Sequence, residues 1–273
     1  MADSHWNAEA LRLQLEPLWP GIGIEIVGET GSTNTDLVDR SRAATGLPPC
    51  LRVAEQQSAG RGRLGRHWLS EPGASLTFSL AVPLAAADWS GLSLAVGVAL
   101  AEALDTPGAA YRVGLKWPND LWLLDAPGRG RKLGGVLIET VALGAQRVAV
   151  IGVGLNLRLI SVTGEVATGY ACLEELTPDV APPAVLERIA APLARALRLF
   201  ERAGFAAFSE RYAARDLLIE QPVLTTQADA LEGVAEGVTP QGALIVRTPT
   251  GAVASVSSGE VSVRVAPASA PPC

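Results

Sequence analysis

Cysteine is scarce in this 273-residue chain: three residues, at positions 50, 172 and 273, widely separated and odd in number. That spacing excludes a disulfide framework and a zinc cluster, and it points to a reducing compartment. The two histidines, His5 and His67, have no triad context, so neither a Ser-His-Asp nor a Cys-His nucleophile is legible. Charged residues make up only 18% of the chain, and their net charge is −6. An acidic balance argues against general nucleic-acid or membrane-surface binding and leaves any anion site to a local basic pocket. No apolar window approaches bilayer length. The first residues, MADSHWNAEALRLQLEPLW, lack the basic start and apolar core of a signal peptide. A cytoplasmic location is expected. What is present is a 48% hydrophobic fraction, enough for a real core in one large domain or in a large domain plus a small one.

Apolar spacing predicts a short helix over Asn7 to Leu18, stopped by Pro20 and Gly21. GIEIVGET reads as a strand, followed by a helix over Thr35 to Arg42, with Ser32 to Asn34 as its N-cap chemistry. A strand over Leu51 to Ala54 leads into a glycine-rich loop. SLTFSLAVPL alternates like a strand with one buried face. Leu92 to Leu104 suits a helix packed closely on a sheet. Strands are expected over Val113 to Lys116, Asp120 to Leu124 and Leu133 to Val141, and again in RVAVIGVGLNL. Pro182 to Tyr212 is strongly helical. From about Leu217 short valine-rich runs alternate with Gly, Pro and Thr, the pattern of a small antiparallel β-barrel, before the loose tail APASAPPC. The expected layout is residues 1–215 as one domain and 216–273 as a second, smaller one.

The glycine-rich loop, GRGRLGRHW from Gly60 to Trp68, spells G-x-G-x-x-G. A dinucleotide fingerprint needs a buried strand before the first glycine and a helix opening at the last. Here the preceding AEQQSAG is polar, and RHWLSEPGASL leads to another strand. The Rossmann reading fails, and with it an NAD oxidoreductase. No G-x-x-x-x-G-K-[ST] phosphate loop occurs either. What remains is a pliable loop whose Arg61, Arg63 and Arg66 offer planar cationic forks to phosphate or carboxylate. Such a loop orders when an anion arrives.

Four other polar clusters sit at strand edges or loops: GSTNTD (Gly31 to Asp36), KWPNDLWL (Lys116 to Leu123), RKLGGVLIE with Lys132 directly before a Gly-rich strand, and GVGLNL with Asn156 at a strand end. Functional residues collect on loops held by a rigid sheet. In this order the five segments resemble the catalytic domain of biotin–protein ligases. The resemblance covers roughly residues 25 to 160 and extends more weakly into the C-terminal β domain. GRGRLGRHW and KWPND together are its specific part.

The resemblance implies an α+β fold: a class II aminoacyl-tRNA-synthetase-like mixed sheet with helices, then a C-terminal SH3-like β-barrel. It implies ATP-dependent activation of biotin as biotinyl-5′-AMP and transfer to one lysine of a biotin carboxyl carrier protein, that of acetyl-CoA carboxylase or of another biotin-dependent carboxylase. It also implies Mg²⁺ held mainly through ATP phosphates, with no protein metal site. Carried over residue by residue, Arg63 holds the carboxylate–phosphate junction, and Lys132 contacts the biotin carboxylate and the α-phosphate. Arg61 and Arg66 order the loop over the adenylate. Ser32, Thr33, Asn34 and Gln57, with the backbone at Gly60, contact the biotin ring. Trp68 and Trp117 match aromatic positions near the ligand, Lys116 and Asn119 face phosphate and metal, and Asn156 reaches the adenine or phosphate end. Asp120 is a base for the carrier lysine, a Mg²⁺-linked group, or a structural carboxylate.

Some relatives carry an N-terminal helix-turn-helix; here the pattern starts near Ile24, so specific DNA binding is not expected. His67 stands where many relatives have lysine. A homodimer through an extended sheet is permitted. The rival readings are a lipoate–protein ligase or octanoyltransferase, which the GRGR–KWPND combination disfavours, and a non-catalytic biotin-binding relative.

Overall fold

The computed structural model describes residues 6–43, 49–105, 110–126, 129–143, 146–160, 169–226, 231–257 and 263–265. Seven strands build the main sheet: β1 (Gly23–Thr30), β2 (Cys50–Gln57), β3 (Ser75–Pro83), β4 (Val113–Lys116), β5 (Asp120–Ala126), β6 (Arg129–Leu143) and β7 (Gln146–Asn156). Their order is β1-β2-β3-β7-β6-β5-β4. Only the β1–β2 ladder is parallel; the others are antiparallel, which makes the sheet mixed, as expected.

Two of the helices follow directly from composition. Leu92–Leu104 (α3) is apolar nearly all round, so it belongs inside, and it packs between the sheet and a long helix, α4 (Pro182–Ala203). α4 opens with Pro182 and Pro183, where a missing N–H costs nothing. Its buried stripe of Val185, Leu186, Ile189, Leu193, Leu197 and Phe200 has helical spacing. The expected helical run to Tyr212 is broken at Gly204, which adopts φ 62, a value that favours glycine. A short helix, Ser209–Ala213, follows.

The shorter N-terminal elements are α1 (Ala8–Leu15) and α2 (Thr33–Ala43). α2 begins two residues earlier than expected. Ser32 is its cap, accepting from the Thr35 N–H at 3.4 Å, while Thr33 and Asn34 lie in its first turn. β2 runs on through Gln57, so the polar AEQQ segment is strand after all. β3 also differs from expectation, because Ser75 through Val82 are all buried. Leu76, Phe78, Leu80 and Val82 join the main core, and Ala81 packs on the other face with Leu37 and Val38 of α2. The alternation is real, but α2 covers the polar side, where the Ser79 hydroxyl bonds to Thr33 of α2 and the Thr77 hydroxyl donates to the Ala54 carbonyl of β2. Lys132 lies within β6 rather than before it.

The C-terminal segment forms a five-stranded antiparallel sheet, β8 (Pro222–Thr225), β9 (Glu232–Val238), β10 (Leu244–Arg247), β11 (Val253–Val256) and β12 (Val263–Val265), in the order β11-β10-β9-β8-β12. No ladder joins β11 to β12 among the described residues, so the expected barrel is seen as an open sheet. It shares one hydrophobic cluster with the main sheet. Residues 215–217 run beside β4, and the Trp117 indole donates to the Gly242 carbonyl at 3.1 Å. The expected loose tail lies outside the described residues.

Candidate active site

A cavity of about 1240 Å³ opens over β3, β7, β6 and β5, lined also by the glycine-rich loop and by Val263 and Val265 of β12. Its two ends differ in chemistry.

One end is a neutral polar floor at the start of α2. Thr33 and Asn34 are almost wholly buried there because the first turn of the helix points down onto β2 and β3. Gln57, at the end of β2, accepts from the Thr33 backbone N–H at 2.8 Å and from its hydroxyl at 3.1 Å. Ser79 of β3 lies 2.8 Å from the Thr33 hydroxyl and donates to Asn34 Oδ1 at 3.0 Å. Asn34 Nδ2 donates to Glu139 Oε2 at 2.6 Å. Gly152 leaves room for this arrangement, since a Cβ there would stand 2.7 Å from Asn34 Oδ1. The floor therefore offers held, buried donors and acceptors, which is what recognition of a small polar ring requires.

The other end is cationic. Lys132 Nζ, on β6, forms a 2.7 Å ion pair with Asp120 Oδ1, at the start of β5. Arg63 Nη1 lies 3.4 Å from Asn119 Oδ1, whose amide nitrogen is fixed on the Val136 carbonyl at 2.7 Å. Burial lowers the Arg63 pKa below the ordinary guanidinium value, while the Asp120 charge pulls it back up and Arg66 adds repulsion. An arginine keeps its charge regardless. Lys116 sits over the Trp122 ring, 4.7 Å from its centroid.

The loop between these ends is closed at its base. The Trp68 N–H donates to the Gly60 carbonyl at 2.9 Å, and the Gly62 N–H donates to Arg66 at 2.7 Å. Its tip carries Leu64 at φ 57, half exposed and on the cavity wall. The Trp68 ring lies over Gly154 of β7, where a Cβ would come within 2.4 Å of it. Beneath Lys132, Arg131 bonds Asp125, Glu175 and the Tyr170 carbonyl. Burial pushes the Tyr170 phenol well above its ordinary value.

Residues 29–156 match the biotin/lipoate A/B protein ligase family, and residues 218–264 match the biotin protein ligase C-terminal domain. The bifunctional ligase/repressor BirA of Salmonella typhimurium is 37% identical over 86% of this chain and 72% of its own length. The biotin–[acetyl-CoA-carboxylase] ligase of Mycobacterium tuberculosis is 34% identical over 87% of this chain and 88% of its own. This chain belongs to the biotin–protein ligase family. A solved biotin protein ligase from Aquifex aeolicus, in complex with biotin and ATP, superposes with a TM-score of 0.74 at 26% identity, covering 89% of this chain and 99% of that one.

The biotin–protein ligase motifs named from sequence converge on this cavity. Ser32, Thr33, Asn34, Gln57, Arg61, Arg63, Arg66, Trp68, Lys116, Asn119, Asp120, Lys132 and Asn156 all line it. Gly60 does not; its carbonyl is taken by Trp68, and a side chain at this position would strike the Trp68 carbonyl at 2.4 Å. Asn156 lines the wall, but its amide nitrogen donates to the Lys132 and Ala171 carbonyls, at 3.2 and 3.1 Å. What it fixes is the backbone under the lysine. Trp117 touches the cavity while only 1% exposed, so it serves the core and the link to Gly242 as well. Sequence reasoning missed Ser79, Glu139 and Trp122. Ser79 lies inside a plain strand run without a motif signal, and Glu139 closes the RKLGGVLIE segment, in which Lys132 carries the signal.

Proposed function

We propose that this chain is an ATP-dependent ligase that activates biotin as biotinyl-5′-AMP and transfers the biotinyl group to a lysine of the biotin carboxyl carrier protein of acetyl-CoA carboxylase. The observation that carries the reading is one cavity with a neutral hydrogen-bonding floor at one end and paired cations at the other. Biotin divides in the same way, into a ureido ring and a carboxylate. The rigid floor takes the ring. The valeryl chain runs along the wall toward Lys132 and Arg63, and ATP fills the wider remainder beside Lys116 and Trp122.

In the first step a biotin carboxylate oxygen bonds to the α-phosphorus of ATP and the bond to the β-phosphate oxygen breaks, releasing pyrophosphate. Two unit negative charges about 4 Å apart repel by roughly 4 kcal/mol at the effective dielectric of a protein surface. Lys132 and Arg63 offset that repulsion, and their preorganisation stabilises the charge gathered in the transition state. Asp120 holds the Lys132 ammonium in place until those anions attract it. Once Lys132 has turned to them, Asp120 is free to take the proton from the carrier ammonium. The neutral amine then attacks the acyl carbon, and AMP leaves. The loop, closed over the adenylate, keeps out water. Mg²⁺ would enter with ATP, held by phosphate oxygens and water with Asn119 Oδ1 and the free Asp120 oxygen nearby, and would supply charge neutralisation of the phosphates.

The test is to incubate the protein with ATP, Mg²⁺ and either biotin or lipoate, and to follow pyrophosphate and acyl-AMP by mass spectrometry. Biotinyl-AMP formed with biotin alone supports the reading. Turnover with lipoate alone transfers it to the lipoate ligases, and no turnover with either leaves a binding protein.

A further inference from the structure

Glu139 lies beside both the ring-binding floor and the arginine loop. It stands on β6 opposite Val150, with its side chain 27% exposed. Its Oε2 accepts from Asn34 Nδ2 at 2.6 Å, and its Oε1 is 3.7 Å from Arg61 Nη1, which also donates to Thr35 Oγ1 at 3.2 Å.

The two ends of an asparagine amide have nearly the same shape and opposite polarity, so only its partners decide which end faces where. Of the groups around Asn34, Ser79 offers a hydroxyl, which donates or accepts equally well. Gly152 merely makes space. An ionised carboxylate only accepts, so Glu139 is the partner that forces the NH₂ group toward itself and leaves Oδ1 over Gly152, on the cavity side.

We infer that Glu139 is a positioning and specificity residue: it fixes Asn34 as an acceptor for a ligand N–H and, through its second oxygen, tethers the arginine loop to the same decision. This rests on reading the cavity as a biotin site. It goes further in assigning the discrimination: a ring that presents an N–H at this point is accepted, and one that presents only an acceptor or an alkyl group is refused. A buried hydrogen-bonding site left unpaired rejects such an analogue far more strongly than a lost apolar contact would.

The experiment uses the full chain with Glu139→Ala and Glu139→Gln. Isothermal titration measures binding of biotin and of the two analogues carrying a methyl on one or the other ureido nitrogen, and limited trypsin digestion reads the exposure of the arginine loop. Glu139→Ala is expected to weaken biotin about tenfold, with no weakening for the one analogue that lacks the N–H facing Asn34. Glu139→Gln can turn either its oxygen or its NH₂ group toward the Asn34 amide, so it no longer forces the orientation and is expected to weaken biotin several-fold, less than Glu139→Ala because a hydrogen-bond partner remains. Both variants lose the charge facing Arg61, and both loops are expected to be cut faster than in the unaltered protein. The inference is overturned if Glu139→Ala binds biotin unchanged, or if it weakens biotin and both analogues by the same factor. It is overturned too if Glu139→Gln binds biotin as tightly as the unaltered protein. Failure of the unaltered protein to bind biotin would instead remove the functional reading.

Discussion

Asp216 sits at the seam between the main sheet and the C-terminal strands, where the Leu115 N–H bonds to the Arg215 carbonyl at 2.8 Å and the Leu217 N–H bonds back to Leu115 at 2.9 Å. Its Oδ1 accepts from the Leu218 N–H at 2.9 Å, while Oδ2 is buried without a hydrogen-bond partner. Burial raises its pKa from 3.8 to about 6, against the opposing pull of the Leu218 N–H and the Tyr212 hydroxyl beside it. A raised carboxyl pKa means that the folded chain keeps a proton which the unfolded chain releases. Stability therefore falls as pH rises from about 4 to about 6, then levels off. The interval spans about two pH units at about 1.4 kcal/mol each, which gives about 3 kcal/mol lost at neutral pH. Asp216→Asn removes the charge and keeps the oxygen that faces Leu218. Urea unfolding across pH 4 to 8 should show the two proteins equally stable near pH 4, with the variant ahead by about 3 kcal/mol above pH 6. A gap that does not change with pH, or a variant less stable at pH 7, would refute the reasoning.

Gly152→Ala places a methyl 2.7 Å from Asn34 Oδ1; titration calorimetry should show biotin weakened at least about tenfold with ATP binding unchanged. In Arg63→Ala the loop loses the side chain that reaches Asn119; free biotinyl-AMP should accumulate outside the enzyme, as mass spectrometry of a filtrate would record. Trp117→Phe leaves the buried Gly242 carbonyl without its donor; chemical unfolding should register a loss of about 1–3 kcal/mol. An unchanged stability there would mean that the indole contributes only its bulk.

Much of the site was legible because its chemistry sits in compact motifs. GRGRLGRHW, KWPND and RKLGG each bring charge or backbone freedom to a strand edge, and the sheet order sets them around one cavity. Both reasons the sequence offers against a Rossmann turn at the glycine loop hold: β2 runs through Gln57 but its last three residues are only half-buried, and β3 rather than a helix opens after the loop. Polarity misleads at β3, where the alternation predicts one buried face and both are buried. The Ser79 and Thr77 hydroxyls are satisfied by neighbours distant in sequence, Thr33 and Ala54, which no local pattern shows. Glu139 was invisible for a related reason: its partners Asn34 and Arg61 lie 105 and 78 residues away in the chain. Charged and glycine residues also hide where a strand begins, so the sequence places Lys132 directly before β6 when it lies within it.

The central claim is that fixed cations allow two anions to be joined, with Lys132 foremost. Rapid-quench measurement of biotinyl-AMP formation in a single turnover, comparing the unaltered protein with Lys132→Gln at saturating biotin and ATP, tests it most directly. The account expects the rate to fall about a hundredfold or more, the usual cost of removing one preorganised charge-stabilising donor. A variant forming the adenylate within a fewfold of the unaltered rate would contradict it.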